Sequence, residues 1–259
     1  MAISFDYSGQ TILVTGASRG IGFAVAKAFA AANARVCVLA DDAGVVQAAR
    51  NIAAETGSDV WAQRCDITDT HAVRGALENV GRLDVLVNNA GVELPTPVED
   101  GHSDIDDAFE RIIDVNVMGT WRVTRAALPK MQEGGRILIT SSIWGRTAVP
   151  GFAAYTASKH ALIGLSRTLS RELGPRSIRV NAICPGWVRT EASLRSLAVM
   201  AKEQGVSVDT LADSLAADQS LAGLMEPDDV AGLYLYLASE AAANVTGQAI
   251  PIDRGEVMA

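Results

Sequence analysis

Tyr155 and Lys159 stand four residues apart in the run Tyr155-Thr156-Ala157-Ser158-Lys159, thirteen residues after Ser142. On a helix, positions i and i+4 share a face, so the phenol and the ammonium project side by side. A tyrosine hydroxyl, with a pKa of about 10, is a poor base at neutral pH. A neighbouring cation favours the phenolate and brings its titration nearer the working pH, where proton transfer is efficient. Ser142 adds a hydroxyl able to hydrogen-bond the reacting oxygen. Such a set suits the interconversion of an alcohol and a carbonyl. By itself the Tyr-x-x-x-Lys spacing also arises by chance, as a half-buried ring beside a solvated amine, and its weight comes from the rest of the chain.

Near the N-terminus, Thr11-Ile12-Leu13-Val14-Thr15 is a short apolar run of the kind that forms a buried parallel strand, and an Ala-rich helical stretch follows from Phe23. Between them lie Gly16, Ser18, Arg19, Gly20, Ile21 and Gly22. In this reading Gly16 permits a tight turn, Gly20 lets the backbone approach a pyrophosphate, and Gly22 lets the helix pack closely on the strand. The helix N-terminus presents free N–H groups and its positive dipole end to the phosphates. Strand, glycine turn and helix together make a dinucleotide-binding fingerprint.

The glycine spacing is Gly-x-x-x-Gly-x-Gly, and with the other motifs it resembles the compact, single-domain branch of the short-chain dehydrogenase/reductase family over nearly the whole chain. The resemblance implies that Thr15–Gly22 is the cofactor loop, that Asp66 and Ile67 contact adenine, and that Asn88, Ala90 and Gly91 belong to a segment stabilising the central strand and lying along the cofactor. It implies that Asn116 holds a proton-relay water near the lysine, that Ser142, Tyr155 and Lys159 are catalytic, and that Pro185, Gly186, Val188 and Thr190 line the nicotinamide. Tyr155 and Lys159 would also touch the cofactor, Lys159 through the nicotinamide ribose. One departure is visible: Arg254 stands in Asp253-Arg254-Gly255, where relatives carry a glycine in a segment that packs at a subunit interface. Relatives form tetramers or dimers through the stretches corresponding to 104–133 and 154–173, so a homotetramer or homodimer is expected.

At 259 residues the chain fits one α/β domain with a substantial core. Strand-like runs at 11–15, 35–40, 59–63, 84–88, 136–141, 178–183 and 249–252 alternate with helical stretches at 20–32, 43–56, 69–80, 104–133, 154–173 and 227–239. This predicts a Rossmann-type, doubly wound, seven-stranded parallel sheet with helices on both faces. Ligands then bind beyond the carboxyl ends of the strands, where Gly16, Asn88, Ser142 and Pro185 fall. Residues 191–226 break the alternation and read as a helical insert that covers substrate, against the plainer reading of an exposed hairpin.

The net charge of −8 argues against nucleic acid. No apolar run is long enough for a membrane span. The N-terminus lacks the regions of a signal peptide. Three widely spaced cysteines, Cys37, Cys65 and Cys184, read as buried thiols in a reducing cytoplasm, with neither a disulfide framework nor a metal site. The scattered histidines, His71, His102 and His160, have no assigned role.

Cofactor choice rests on opposed signals. Asp41 and Asp42 follow the second strand, where an acid binds the ribose hydroxyls and repels a 2′-phosphate. Arg19 sits where a base greets that phosphate, although Asp41 could neutralise it. NAD is favoured over NADP. By position Glu93, Ser142, Trp144, Arg146 and Trp187 line the substrate pocket. The tryptophans either stack on a ring or wall the site, and Arg146 either grips an anion or pairs on the surface. The expected substrate is a secondary alcohol or ketone, with polyols, sugars and hydroxy acids ranked above steroids, and oxidation is the expected direction. An NADP-dependent ketone or 3-oxoacyl reductase, a sugar-nucleotide epimerase or dehydratase, and a non-catalytic cofactor sensor are the alternatives.

Overall fold

A computed structural model describes residues 4–99 and 101–258. Seven parallel strands form one sheet in the order β3-β2-β1-β4-β5-β6-β7, namely Val60–Arg64, Arg35–Ala40, Thr11–Thr15, Leu83–Asn88, Met131–Thr140, Arg179–Pro185 and Ala249–Ile252. β1 and β4 are neighbours although β2 and β3 intervene in sequence, so the chain reverses its winding between them. That reversal opens a crevice at the carboxyl edge.

Helices cover both faces because the strands are apolar on both sides. On one face, Ile12, Val14, Val36 and Val38 meet Val25 and Phe29 of α1 (Gly20–Ala31), Val45 and Ile52 of α2 (Gly44–Thr56), and Val230 and Tyr234 of a later helix at Pro227–Ala238. On the other, Leu13, Leu39, Leu86 and Ile137 meet Val73 and Leu77 of α3 (Thr70–Glu78). That face is completed by α4 (Ser103–Ile113), α5 (Thr120–Ala127) and α6 (Ala153–Leu173), with Val123, Leu162 and Leu169 buried in it.

The expected helix 104–133 is divided. A π-helical turn at Asp114–Gly119 joins α4 to α5, and a 3-10 turn at Leu128–Lys130 ends the run. Pro129, lacking an N–H, suits that turn's start. β5 then begins at Met131, because Met131 pairs with Leu83 before the ladder shifts to Val85–Arg136. The insert folds as α7 (Glu191–Gln204) and α8 (Val208–Ala217), and α9 (Pro227–Ala238) follows it. Leu197, Ala201 and Leu211 of the insert pack with Trp144, Phe152 and Trp187 in a small separate core. Among the described residues no helix is long and apolar enough to cross a membrane.

Candidate active site

A cleft of about 610 Å³ runs along the carboxyl edge of the sheet. At one end Gly16, Ser18, Arg19, Gly20 and Ile21 line it. Gly16 is left-handed (φ 64°), and a Cβ there would stand 2.7 Å from the Ala90 Cα. Gly20 is also left-handed (φ 60°). Arg19 caps α1 without a side-chain hydrogen bond, so the first N–H groups of the helix are left for a ligand. Gly22 lies behind this lining; a Cβ there would meet the Gly16 carbonyl oxygen at 2.2 Å, so its role is close packing. A glycine cradle beside uncapped amides fits a dinucleotide pyrophosphate.

Asp66 and Ile67, expected at the adenine, also line the cleft. Burial alone would raise Asp66, but the Thr68 amide and hydroxyl, with Arg111, hold it below its usual range. Asp41 and Asp42 both line the cleft, yet the partner of Arg19 is Asp42, at 3.3 Å, and not Asp41. Asp41 is exposed, and its carbonyl accepts from Arg64 at 3.0 Å. Asp42 also accepts from Ser18 at 2.7 Å, and Arg19 reaches Glu191 at 3.5 Å. The Ser18 hydroxyl, with the Gly44 amide and Arg19, keeps the Asp42 carboxyl below its usual range against the cost of burial.

In the middle, Ala90 and Gly91 line the cleft. Asn88 does not: it is buried, and its amide donates to Thr124 at 3.0 Å, tying β4 to α5. Asn89 takes the lining position, its amide bonded to the Thr15 and Gly16 carbonyls at 3.1 and 3.2 Å. The doublet Asn88-Asn89 carried that possibility in sequence, but only strand alternation around Asn88 decides which one turns inward. Asn116 is fully buried in the π-helical turn and stands outside the lining. Its side-chain amide is committed to both backbone groups of Val92 (2.8 and 3.0 Å) and to Ser158 (3.0 Å). It therefore positions the segment leaving β4 beside α6, and its side chain has no donor spare for a relay water.

Ser142, Tyr155 and Lys159 converge on the same cleft. Ser142 starts a 3-10 turn, Ile143–Gly145, and its hydroxyl accepts from the Trp144 N–H at 3.2 Å. Lys159 is buried and donates to the Thr140 carbonyl at 2.9 Å, with its ammonium 5.2 Å from the centre of the Tyr155 ring. Burial lowers its pKa to about 8, against the pull of Glu93. Lys159 does not bring Tyr155 down as expected. Burial and the adjacent Glu93 carboxylate push the phenol well above 10, with only the Ser142 hydroxyl opposing. The ammonium lies toward the ring and the Thr140 carbonyl, so desolvation prevails. As it stands, the phenol holds its proton.

Pro185, Gly186, Val188 and Thr190, expected at the nicotinamide, also line the cleft. Gly186 is needed for approach: a Cβ would stand 2.8 Å from the Asp253 Cβ. Trp144 and Trp187 line the cleft but pack edge to face with each other at 5.6 Å, and Trp144 does so with Tyr155 at 5.8 Å. They are 8% and 6% exposed, so they act as walls and not as open stacking platforms. Glu93 lines the cleft and Arg146 does not. The 3-10 turn packs so tightly that a Gly145 Cβ would meet the Ser141 Oγ at 2.4 Å, and Arg146 emerges beyond it, off the cleft. Arg195 of α7 lines the cleft, and sequence pattern alone could not distinguish it on a helix of mixed polarity. Arg254 adopts φ 57° and donates to the Ala222 carbonyl at 3.0 Å, which ties the segment after β7 to the end of the insert.

Known proteins are similar to this chain in sequence and in fold. A family model described as enoyl-(acyl carrier protein) reductase matches residues 16–256. The D-beta-hydroxybutyrate dehydrogenase of Cupriavidus necator is 33% identical over 261 residues, covering 96% of this chain and 98% of that protein. The L-sorbose reductase of Gluconobacter frateurii, solved with NADPH and L-sorbose, superposes with a TM-score of 0.89 at 27% identity, covering 98% of each chain. An NAD+-bound xylitol dehydrogenase superposes with a TM-score of 0.89 at 30% identity, covering 96% of this chain and 99% of that one. The cleft fits NAD or NADP, as these neighbours hold. On its motifs, its fold and these relatives, the chain belongs to the short-chain dehydrogenase/reductase family of oxidoreductases.

Proposed function

We propose that the protein interconverts a secondary alcohol and its ketone, with Tyr155 as the acid–base group and NAD as the preferred cofactor. The observation that carries this reading is the convergence of Ser142, Tyr155 and Lys159 on the cleft that the glycine loop also lines. A bound nicotinamide supplies or accepts the hydride. Ser142 orients the substrate oxygen. In reduction Tyr155 donates its proton to that oxygen, the state in which burial already holds it. In oxidation Tyr155 must first lose the proton, and the Lys159 ammonium stabilises the charge that then develops. Thr140 and Ser141 fix the lysine through its ammonium and its carbonyl (both 2.9 Å).

The preference for NAD rests on Arg19, whose guanidinium is engaged by Asp42 and Glu191 and so is not free for a 2′-phosphate. Polyols, sugars and hydroxy acids are the favoured substrates. Glu93 makes the pocket polar, and the relatives named for L-sorbose, xylitol and D-beta-hydroxybutyrate span those classes. The chain is taken to be one catalytic unit whose insert covers substrate, and to assemble as a homodimer or homotetramer through the segment from α4 to α5 and α6. Turnover of an alcohol panel with NAD and NADP tests the reading. Oxidation of secondary alcohols, lost in Tyr155→Phe, supports it. No redox turnover in either direction would remove it.

A further inference from the structure

The cleft contains an ionisable side chain that the proposed reaction does not require. Glu93 leaves β4 on a segment pinned at both ends. Asn116 holds Val92, while the Thr96 N–H donates to the Gly151 carbonyl at 2.7 Å and the Thr96 hydroxyl accepts from Ala154 at 3.0 Å. The carboxyl is thereby delivered to a fixed place, half-buried in the cleft wall. Around it stand the Tyr155 phenol and Lys159 ammonium of α6, and the buried Ser196 hydroxyl and Arg195 of α7. Tyr155 and Ser196 are the polar groups beside it.

This carboxyl is unfavourable for proton abstraction, since it holds the phenol's proton on. Burial also raises the pKa of Glu93 itself, against Ser196, Lys159, Tyr155 and Arg195. Its position accounts for it if it serves the substrate. An ionised carboxylate only accepts hydrogen bonds, so it recognises a donor. The reacting oxygen must lie within hydrogen-bond reach of Tyr155, and Glu93 lines the same cleft beside that phenol. A donor reaching Glu93 therefore sits next to the reacting carbon. A carboxylate arriving there meets like charge, and Arg146 is off the cleft.

We propose that Glu93 determines specificity by accepting a hydrogen bond from a hydroxyl on the carbon adjacent to the reacting one, so that the substrate is an uncharged vicinal diol or its hydroxyketone. This rests on the oxidoreductase reading and narrows it: hydroxy acids are turned away.

Butane-2,3-diol, butan-2-ol and lactate, each as all stereoisomers, test it. The wild-type protein is expected to favour the diol over butan-2-ol by about tenfold or more in kcat/KM, the size of one hydrogen bond to a charged acceptor, and to discriminate against lactate. Glu93→Gln keeps the shape and removes the charge. It should lose most of the diol preference through KM, gain on lactate, and move the limb along which butan-2-ol oxidation rises with pH to lower pH. A merely structural glutamate would not move that limb. An unchanged diol-to-butan-2-ol ratio with an unmoved limb overturns the proposal while leaving the oxidoreductase reading in place. Binding of the same compounds, followed by tryptophan fluorescence with NADH present, separates the two failures. Diol binding that weakens about tenfold in Glu93→Gln supports the proposal even if no compound turns over, which would remove only the reaction. Lactate bound as tightly as the diol, or no diol binding at all, overturns it.

Discussion

Lys159 is buried, donates to a single carbonyl, and carries a pKa lowered to about 8 from 10.5. A lysine depressed in this way costs stability wherever both folded and unfolded states are protonated, below about pH 8. The cost fades as pH rises toward 10.5. Lys159→Met should therefore be inactive yet harder to unfold at pH 7, by up to about 3 kcal/mol. That gain should shrink between pH 8 and 10.5 in chemical denaturation. Tyr155→Phe tests the other half of the pair: kcat should fall by about 10²–10⁴ with the unfolding midpoint little changed. Asp42 offers a third test. Asp42→Ala frees Arg19 from its nearest acid and removes a charge from the cofactor cleft. The ratio of kcat/KM for NADP to that for NAD should rise about tenfold, measured with one alcohol; an unmoved ratio would mean that Arg19 does not reach the 2′-phosphate.

The joint between β1 and α1 is the least forgiving element. Gly22→Ala places a methyl 2.2 Å from a backbone oxygen, and no side chain can swing away to relieve it. It should cost about 3 kcal/mol, the upper end of overpacking, and weaken NAD binding. Gly75, exposed in α3 with open space where a Cβ would go, is the control: Gly75→Ala should stabilise by about 0.5–1 kcal/mol. This contrast explains what the chain discloses before it folds. Strand–glycine–helix spacing is local, so the cofactor loop, the seven strands and the Tyr155–Lys159 face were legible. The division of 104–133 was not, because the π-helical turn is shaped by the bonds of Asn116 to Val92 and Ser158, and those partners come from distant segments. The positions of Arg146 and Asn88 were hidden for the same reason. Each is decided by which way one residue turns at the end of a strand or a 3-10 turn. Electrostatics was hidden more deeply, since the raised Tyr155 depends first on burial and then on Glu93, sixty-two positions earlier.

The molecule as a whole has its two large cores on opposite faces of one sheet and the small insert core at the carboxyl edge. Phe109 and Met118, 40% and 41% exposed along the segment proposed to assemble copies, should be covered in an oligomer. Sedimentation at micromolar concentration should give a dimer or tetramer; a monomer would remove that proposal.

The three thiols are spread across this architecture: Cys37 in the middle of β2, Cys184 near the end of β6, and Cys65 just after β3, where it lines the cleft. All are buried, and burial raises Cys37 and Cys65 to about 12 and 11 and raises Cys184 as well. Folded protein is thus nearly inert to alkylating reagents, and labelling counts the moments when the chain opens. Cys65 should react first, through fluctuations at the adenine end, and saturating NAD should slow it alone. Cys37 and Cys184 should follow only at the rate of global unfolding, so that a single mass spectrum taken over time reports cofactor protection and fold lifetime from three internal clocks.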